Sequence, residues 1–196
     1  MRKIIVYIAT SADGYIARKN GAVDWLDRPR LKGNYGMNEF YRSIDTILWG
    51  RKTYDMALGF MEAGKEDPGS YRKLKNYAFS RRPPKKVAPG FEFVKDPITD
   101  FARRLRSLAG KNIWMMGGAG IIASFLDAGA IDEFIIHLIP TMIGEGIPLI
   151  APRHRNVPLK LMSCRSFSDG VVRLHYAVAK EKPKSTENKP ASKKAR

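Results

Sequence analysis

The chain has 196 residues and a hydrophobic fraction of 44%, enough for one domain with a full core. No run of about 18 apolar residues occurs, which excludes a membrane-spanning helix. The formal net charge is +16; residues 180–196 hold seven Lys or Arg against Glu181 and Glu187, a net +5, which leaves +11 for residues 1–179. That last segment reads as a basic disordered tail, rich in Lys, Pro and Ser and nearly free of apolar residues. The charge fits nucleic acid, an anionic cofactor or a phosphorylated substrate. An RNA-binding aromatic motif, a zinc finger and a basic recognition helix are all missing, so the motifs give nucleic acid no support. The single cysteine, Cys164, excludes an internal disulfide and suits a reducing, cytoplasmic setting.

Residues 3–9 (KIIVYIA) form an apolar run that predicts a central strand buried on both faces, not a secretory signal, because Thr10, Ser11 and Asp13 follow at once. A polar loop comes next, with Asp13-Gly14 and Asn20-Gly21. Met37, Phe40, Tyr41 and Ile44 have helical spacing. Residues 46–49 read as a short buried strand ending at Gly50, and Thr53 opens a helix through Leu58. Residues 59–75 read as a loop or weak helix, with a turn at Pro68-Gly69. Strands follow at 76–80 and 91–94. A helix spans 99–108, with Phe101, Leu105 and Leu108 on one face. Residues 112–116 form a buried strand that runs into Gly117-Gly118-Ala119-Gly120. A helix covers 121–126 and a strand 131–139. The chain closes in a hairpin, 159–167 and 171–179, around Ser168-Asp169-Gly170. Alternating strands and helices predict an α/β domain with a mostly parallel sheet covered on both faces, plus a C-terminal antiparallel hairpin.

Three strand ends carry residues suited to an anionic ligand. At 117–120 the glycines allow close backbone approach, and the N-terminus of the next helix favours a phosphate. At Gly50-Arg51-Lys52-Thr53 two cations and a hydroxyl sit at another helix start. At Ser80-Arg81-Arg82 paired arginines suit a phosphomonoester such as the 2′-phosphate of NADPH. Each reads equally as an ordinary turn or cap. Together they occupy C-terminal strand ends, where open α/β sheets bind ligands.

The order and spelling of these stretches resemble a known family. They comprise Ser11 to Ala17 with Asp24-Trp25, Ile44 to Tyr54, Met116 to Gly120 with Phe125-Leu126, Ile131-Asp132-Glu133, and Ile139-Pro140 through Leu149. The chain is similar, over residues 3–179, to the dihydrofolate-reductase-like proteins grouped with the C-terminal reductase domain of the bacterial riboflavin-synthesis deaminase/reductase. The resemblance implies the three-layer dihydrofolate-reductase-like fold and an NADPH-dependent reductase acting on a small pterin-like or ribosylaminopyrimidine-like molecule. It places Gly50, Arg51, Lys52, Thr53, Ser80, Arg81, Gly117, Gly118, Ala119, Gly120 and Ile121 at the cofactor. Ala9 and Ile16 would border the nicotinamide with the Asp13-Gly14 loop, and Trp25 would line the mouth. A homodimer is expected from relatives that pair through the sheet edge.

The pattern departs from the family on the substrate side. Dihydrofolate reductases carry an acid on the helix before the Gly50 strand, where this chain offers Glu39, with Asn34 and Asn38 nearby. The riboflavin-pathway enzymes carry one just before the glycine turn, where Met116 or Gly117 stands here. With three scattered histidines and one cysteine, these residues are not expected to form the zinc deaminase domain. The expected proton sources are therefore Asp13, Asp24, Glu39 and Tyr41, with Tyr41 also read as a substrate contact. The plainer reading of each is structural: a turn, a cap, a solvated helix face and core packing. A catalytically weak nucleotide-binding module of the same fold is the alternative. His137 reads as a satisfied core or edge residue, His154 as a solvated loop residue, and His175 as part of a polar strand face. No pair has metal-ligand spacing, so no metal is expected. Trp25 is expected to be the exposed stacker among the three tryptophans.

Overall fold

Strand β1 (Ile4–Ser11) owes its central place to a sequence that is apolar on both sides. Ile4 and Val6 point into one core, and Ile5 and Tyr7 into another. In this computed structural model the described residues are 1–27, 35–63, 71 and 73–179. The tail at 180–196, Asn34 and the Pro68-Gly69 turn lie outside the described residues.

The remaining strands are β2 (Tyr15–Ala17), β3 (Ile44–Gly50), β4 (Lys75–Phe79), β5 (Phe91–Val94), β6 (Asn112–Gly117), β7 (Glu133–Ile139), β8 (Ile147–Pro148), β9 (Leu159–Ser166) and β10 (Val172–Val178). Four α-helices are described: α1 (Met37–Ser43), α2 (Arg51–Glu62), α3 (Ile98–Ser107) and α4 (Ala119–Asp127). Eight strands form one sheet in the order β5-β4-β3-β6-β1-β7-β10-β9. The first six are parallel to one another, and β10 and β9 close the sheet as an antiparallel pair. No helix among the described residues is long and apolar enough to cross a membrane.

Helices cover both faces, which gives three layers. Phe101, Ala102 and Leu105 of α3 and Ile122, Phe125 and Leu126 of α4 pack on Ile4, Val6, Ile113 and Met115. Phe40 of α1 and Tyr54 and Ala57 of α2 pack on Ile5, Tyr7, Ile47 and Trp114. A fully buried Leu or Ile contributes about 2 kcal/mol of transfer free energy, so these two layers hold the domain together.

Several expected boundaries move. The β3 strand begins at Ile44 and takes the last residue of the expected helix. The α2 helix runs four residues past Leu58, carried by the apolar spacing of Tyr54, Ala57, Leu58 and Met61. The α4 helix begins at Ala119, inside the glycine turn itself. Leu108 lies beyond the end of α3 and is 48% exposed, so it is not part of that helix's buried face. The β2 and β8 strands form a separate two-stranded ribbon that the sequence did not indicate. With three and two residues they are too short to show periodicity.

Candidate cofactor cleft

Strands β3 and β6 are neighbours, and each ends where a helix begins. Two helix N-termini therefore lie side by side at the C-terminal edge of the sheet. Gly50 caps α2 and Gly118 caps α4, and neither cap uses a side chain to satisfy the first N–H groups. Those donors and the aligned helix dipoles favour an anion.

Glycine is required where the strand ends meet. A Cβ on Gly50 would sit 3.0 Å from Ile121 Cγ2, 3.1 Å from the Gly117 carbonyl oxygen and 3.2 Å from the Gly118 nitrogen. A Cβ on Gly118 would sit 3.3 Å from Thr53 Oγ1 and 3.9 Å from Ile16 Cδ1. Gly117 has φ of 117°, a region other residues rarely adopt. Gly50, Thr53, Ile16, Gly117, Gly118 and Ile121 thus meet at one place on the C-terminal edge of the sheet, although they come from separate stretches of chain. Ala119 is buried and passes its carbonyl to Ala151 N–H, while Gly120 stays exposed.

The basic residues divide. Arg51 does not turn into the cleft: its Nε donates to Asp55 at 2.8 Å and its Nη1 to the Arg82 carbonyl at 2.9 Å. It staples α2 to the loop after β4. Ser80 shapes that loop by accepting the Arg82 N–H and donating to the Arg82 carbonyl. Lys52 and Arg81 are exposed.

The expected acids are held elsewhere. Asp13 accepts N–H bonds from Ile143 at 3.1 Å and Gly144 at 2.7 Å, and ties the β1–β2 turn to the loop after β7. The Ser11 hydroxyl and those two backbone donors hold its carboxyl below the usual range. Asp24 accepts two bonds from Arg18, at 2.7 and 2.9 Å, and Arg18 holds its carboxyl low. Both stay ionised, which suits a tie and not a proton source. Glu39 is exposed on α1 and lines a cavity of about 220 Å³ together with Tyr7, Arg173 and His175. Tyr41 packs edge-on against Trp114 at 5.5 Å, as a core residue would.

Trp25 is 7% exposed, not an open stacker, because it packs with Ile139, Val171 and Ala9. Its indole Nε1 has no hydrogen-bond partner among the described residues. Cys164 and His154 are exposed. His175 meets Glu133 at 2.9 Å. On the α1 side of the sheet the Tyr7 hydroxyl lies 3.3 Å from His137 Nε2, a pairing that sequence reading did not make. The only sequence signal was a phenol and an imidazole in otherwise apolar strands.

A family model for the RibD C-terminal domain matches residues 97–173. The Bacillus subtilis (strain 168) protein YwjB is 35% identical over 178 residues, which is 91% of this chain and 99% of that protein. YyaP of the same organism is 36% identical over 182 residues, covering 89% and 94%. Neither has an assigned activity. Among solved structures, a candidate riboflavin biosynthesis protein of Shewanella sp. PV-4 superposes with a TM-score of 0.77 at 27% identity, over 91% of this chain and 99% of that one. The diaminohydroxyphosphoribosylaminopyrimidine deaminase/5-amino-6-(5-phosphoribosylamino)uracil reductase of Thermotoga maritima superposes with a TM-score of 0.69 at 16% identity, which shows shared fold over 57% of its length. The fold, the strand-end cleft and these likenesses agree, and the chain belongs to the family of the RibD C-terminal reductase domain.

Proposed function

We propose that this protein is an NADPH-dependent reductase for a small pterin-like or ribosylaminopyrimidine-like molecule. The observation that carries the reading is the pair of helix N-termini, uncapped by side chains, that meet across Gly50 and Gly118 with Thr53 beside them. Reduced nicotinamide supplies a hydride when bound. The chain's part is to bind and orient it. The backbone N–H groups after Gly50 and Gly118 face the diphosphate, and Thr53 adds a hydroxyl. Lys52 and Arg81 stand at the rim, where Arg81 meets the 2′-phosphate. Ala9 and Ile16 form the apolar floor beneath the nicotinamide.

Titration of purified protein with NADPH and NADH, followed by tryptophan fluorescence, tests this. Arg81→Ala should weaken NADPH by about 10- to 100-fold, the worth of one charge-assisted hydrogen bond, and leave NADH unchanged. Equal losses would remove the 2′-phosphate role, and no response to either nucleotide would remove the reading.

A second reading, a nucleotide-binding module with weak turnover, is favoured by one observation. Asp13 and Asp24 are held ionised by structural partners and cannot donate a proton. NADPH oxidation with any pterin or ribosylaminopyrimidine would reject it. We also infer a cytoplasmic homodimer. The β9 strand is a sheet edge whose residues are all exposed, with Leu159, Leu161 and Met162 at 44%, 52% and 55%. An edge of that kind, left uncovered, pairs with other chains.

A further inference from the structure

Reduction needs a proton as well as a hydride, and Asp13 and Asp24 are held ionised by structural partners. We propose that Tyr7 is the proton donor of the substrate half and that His137 is its positioning partner. The assignment rests on the cofactor reading above.

Residue 9 of β1 lies directly opposite His137 of β7, and His137 lies opposite Arg173 of β10. Tyr7 precedes Ala9 by two residues and so shares its face of the sheet. The phenol ring stacks on Phe40 with centroids 4.2 Å apart, which fixes its direction. Its hydroxyl lies 3.3 Å from His137 Nε2. The same nitrogen lies 3.3 Å from the Tyr35 carbonyl oxygen. Tyr35 has φ of +54°, the one non-glycine left-handed residue among those described. That turn aims its carbonyl at both His137 and the Arg173 guanidinium, which is 3.4 Å away. Such backbone strain persists only where the surroundings enforce it.

The charged groups facing the pair are Glu39 from α1 and Arg173 from β10. His137 is 6% exposed, and burial holds it below its ordinary pKa, so it is neutral at pH 7. Burial pushes the Tyr7 phenol up to about 12. A phenol that stays protonated is a standing hydrogen-bond donor. It still gives its proton to an alkoxide or amide anion, which is more basic. Tyr7 and Arg173 also line the 220 Å³ cavity that Glu39 borders, so the phenol has a route to solvent.

Bound NADPH would supply the hydride for a C–H bond at the carbon of a substrate C=N or C=O group, and would be oxidised to NADP⁺. The π pair would move to nitrogen or oxygen, where Tyr7 gives its proton. The phenolate, held beside Arg173, recovers a proton from water through the cavity. The substrate class is therefore a small molecule with a polarised double bond whose heteroatom enters over Tyr7.

The chain has three histidines, which makes imidazole ¹⁵N NMR tractable. NADP⁺ should shift the His137 ring nitrogens saturably, with the midpoint seen by tryptophan fluorescence, while His154 stays in place. Bound NADP⁺ that leaves His137 unmoved would overturn the assignment but spare the cofactor reading. No binding of NADP⁺ would overturn both. With 5-amino-6-(5-phosphoribosylamino)uracil or 7,8-dihydrofolate as probe, Tyr7→Phe should keep NADPH affinity and lower kcat by about 100-fold or more. It keeps the ring on Phe40, so the fold is retained. His137→Gln should change the pH profile of kcat with a smaller loss. A Tyr7→Phe protein within about twofold of wild type would overturn the donor role. If neither probe is turned over, the NMR result decides alone.

Discussion

Replacing Gly50 by alanine tests whether the missing side chain is what lets the two helix starts meet. The new Cβ meets three atoms at 3.0, 3.1 and 3.2 Å, each nearer than ordinary van der Waals contact. Ile121 Cγ2 can yield by a rotamer adjustment. The Gly117 carbonyl and the Gly118 nitrogen are backbone and cannot. The ends of β3 and β6 must then part by a few tenths of an ångström. Overpacking of that size costs about 1–3 kcal/mol. For a chain of this length that lowers Tm by roughly 2–12 °C. The same movement displaces the Gly118 N–H, so NADPH affinity falls as well. Gly59→Ala is the matching control. It lies inside α2 with nothing within 4 Å of where the new methyl group would stand, and it should stabilise by about 0.5–1 kcal/mol. Calorimetry and a fluorescence titration read both effects. A Gly50→Ala protein with unchanged Tm and unchanged affinity would refute the close approach of the two strand ends.

Asp45→Ala should destabilise by about 3 kcal/mol in urea unfolding, because it leaves the guanidinium of Arg2 buried without its carboxylate. The Arg2 side chain is 4% exposed and the Asp45 side chain 35%, which puts the cost at the low end for a buried pair. The raised Tyr7 phenol makes the fold sensitive to alkali. A pKa of about 12 against 10.0 unfolded gives stability that is complete below pH 10 and is lost as pH climbs toward 12. The loss amounts to about 2–3 kcal/mol and should vanish in Tyr7→Phe. The lowered His137 works at the other end: its share is present above about pH 6.5 and is lost as pH falls. If the proposed homodimer pairs through β9, the wild type should run as a dimer in light scattering and Leu161→Glu as a folded monomer. An unchanged dimer would move the interface elsewhere.

The strand-end cleft was legible because its signals are local. Gly50 and Gly117 each sit at the junction of an apolar run and a helical pattern, and each junction can be seen within about ten residues. Neighbouring strands then bring two such junctions together without any further instruction. The substrate half was not legible for the opposite reason. The fate of Asp13 is decided by backbone donors at 143 and 144, and that of Asp24 by Arg18. Trp25 looked like a surface aromatic in a polar loop, and it is buried by Ile139 and Val171, which are more than a hundred residues away. Tyr7 and His137 were hidden by their surroundings, since a phenol in an apolar strand reads as core until its partner across the sheet is known.

The same contrast bears on what the enzyme reduces. The resemblance puts the acid of a riboflavin-pathway reductase at Met116 or Gly117, and here Met116 is half-buried against the apolar cluster under α1 and α2. A carboxylate placed among those groups would lose its hydration without gaining a partner, at a cost of several kcal/mol. The local packing therefore disfavours an acid at Met116. Recognition must use other polar atoms on this face of the sheet. His137 and Arg173 stand level with Ala9 on neighbouring strands and Tyr7 lies two residues before it, level with Ile135, with Glu39 across the cavity from Tyr7 and Arg173. Under the proposed assignment, a phenol and a guanidinium beside the Glu39 carboxylate suit a substrate that both accepts and donates hydrogen bonds.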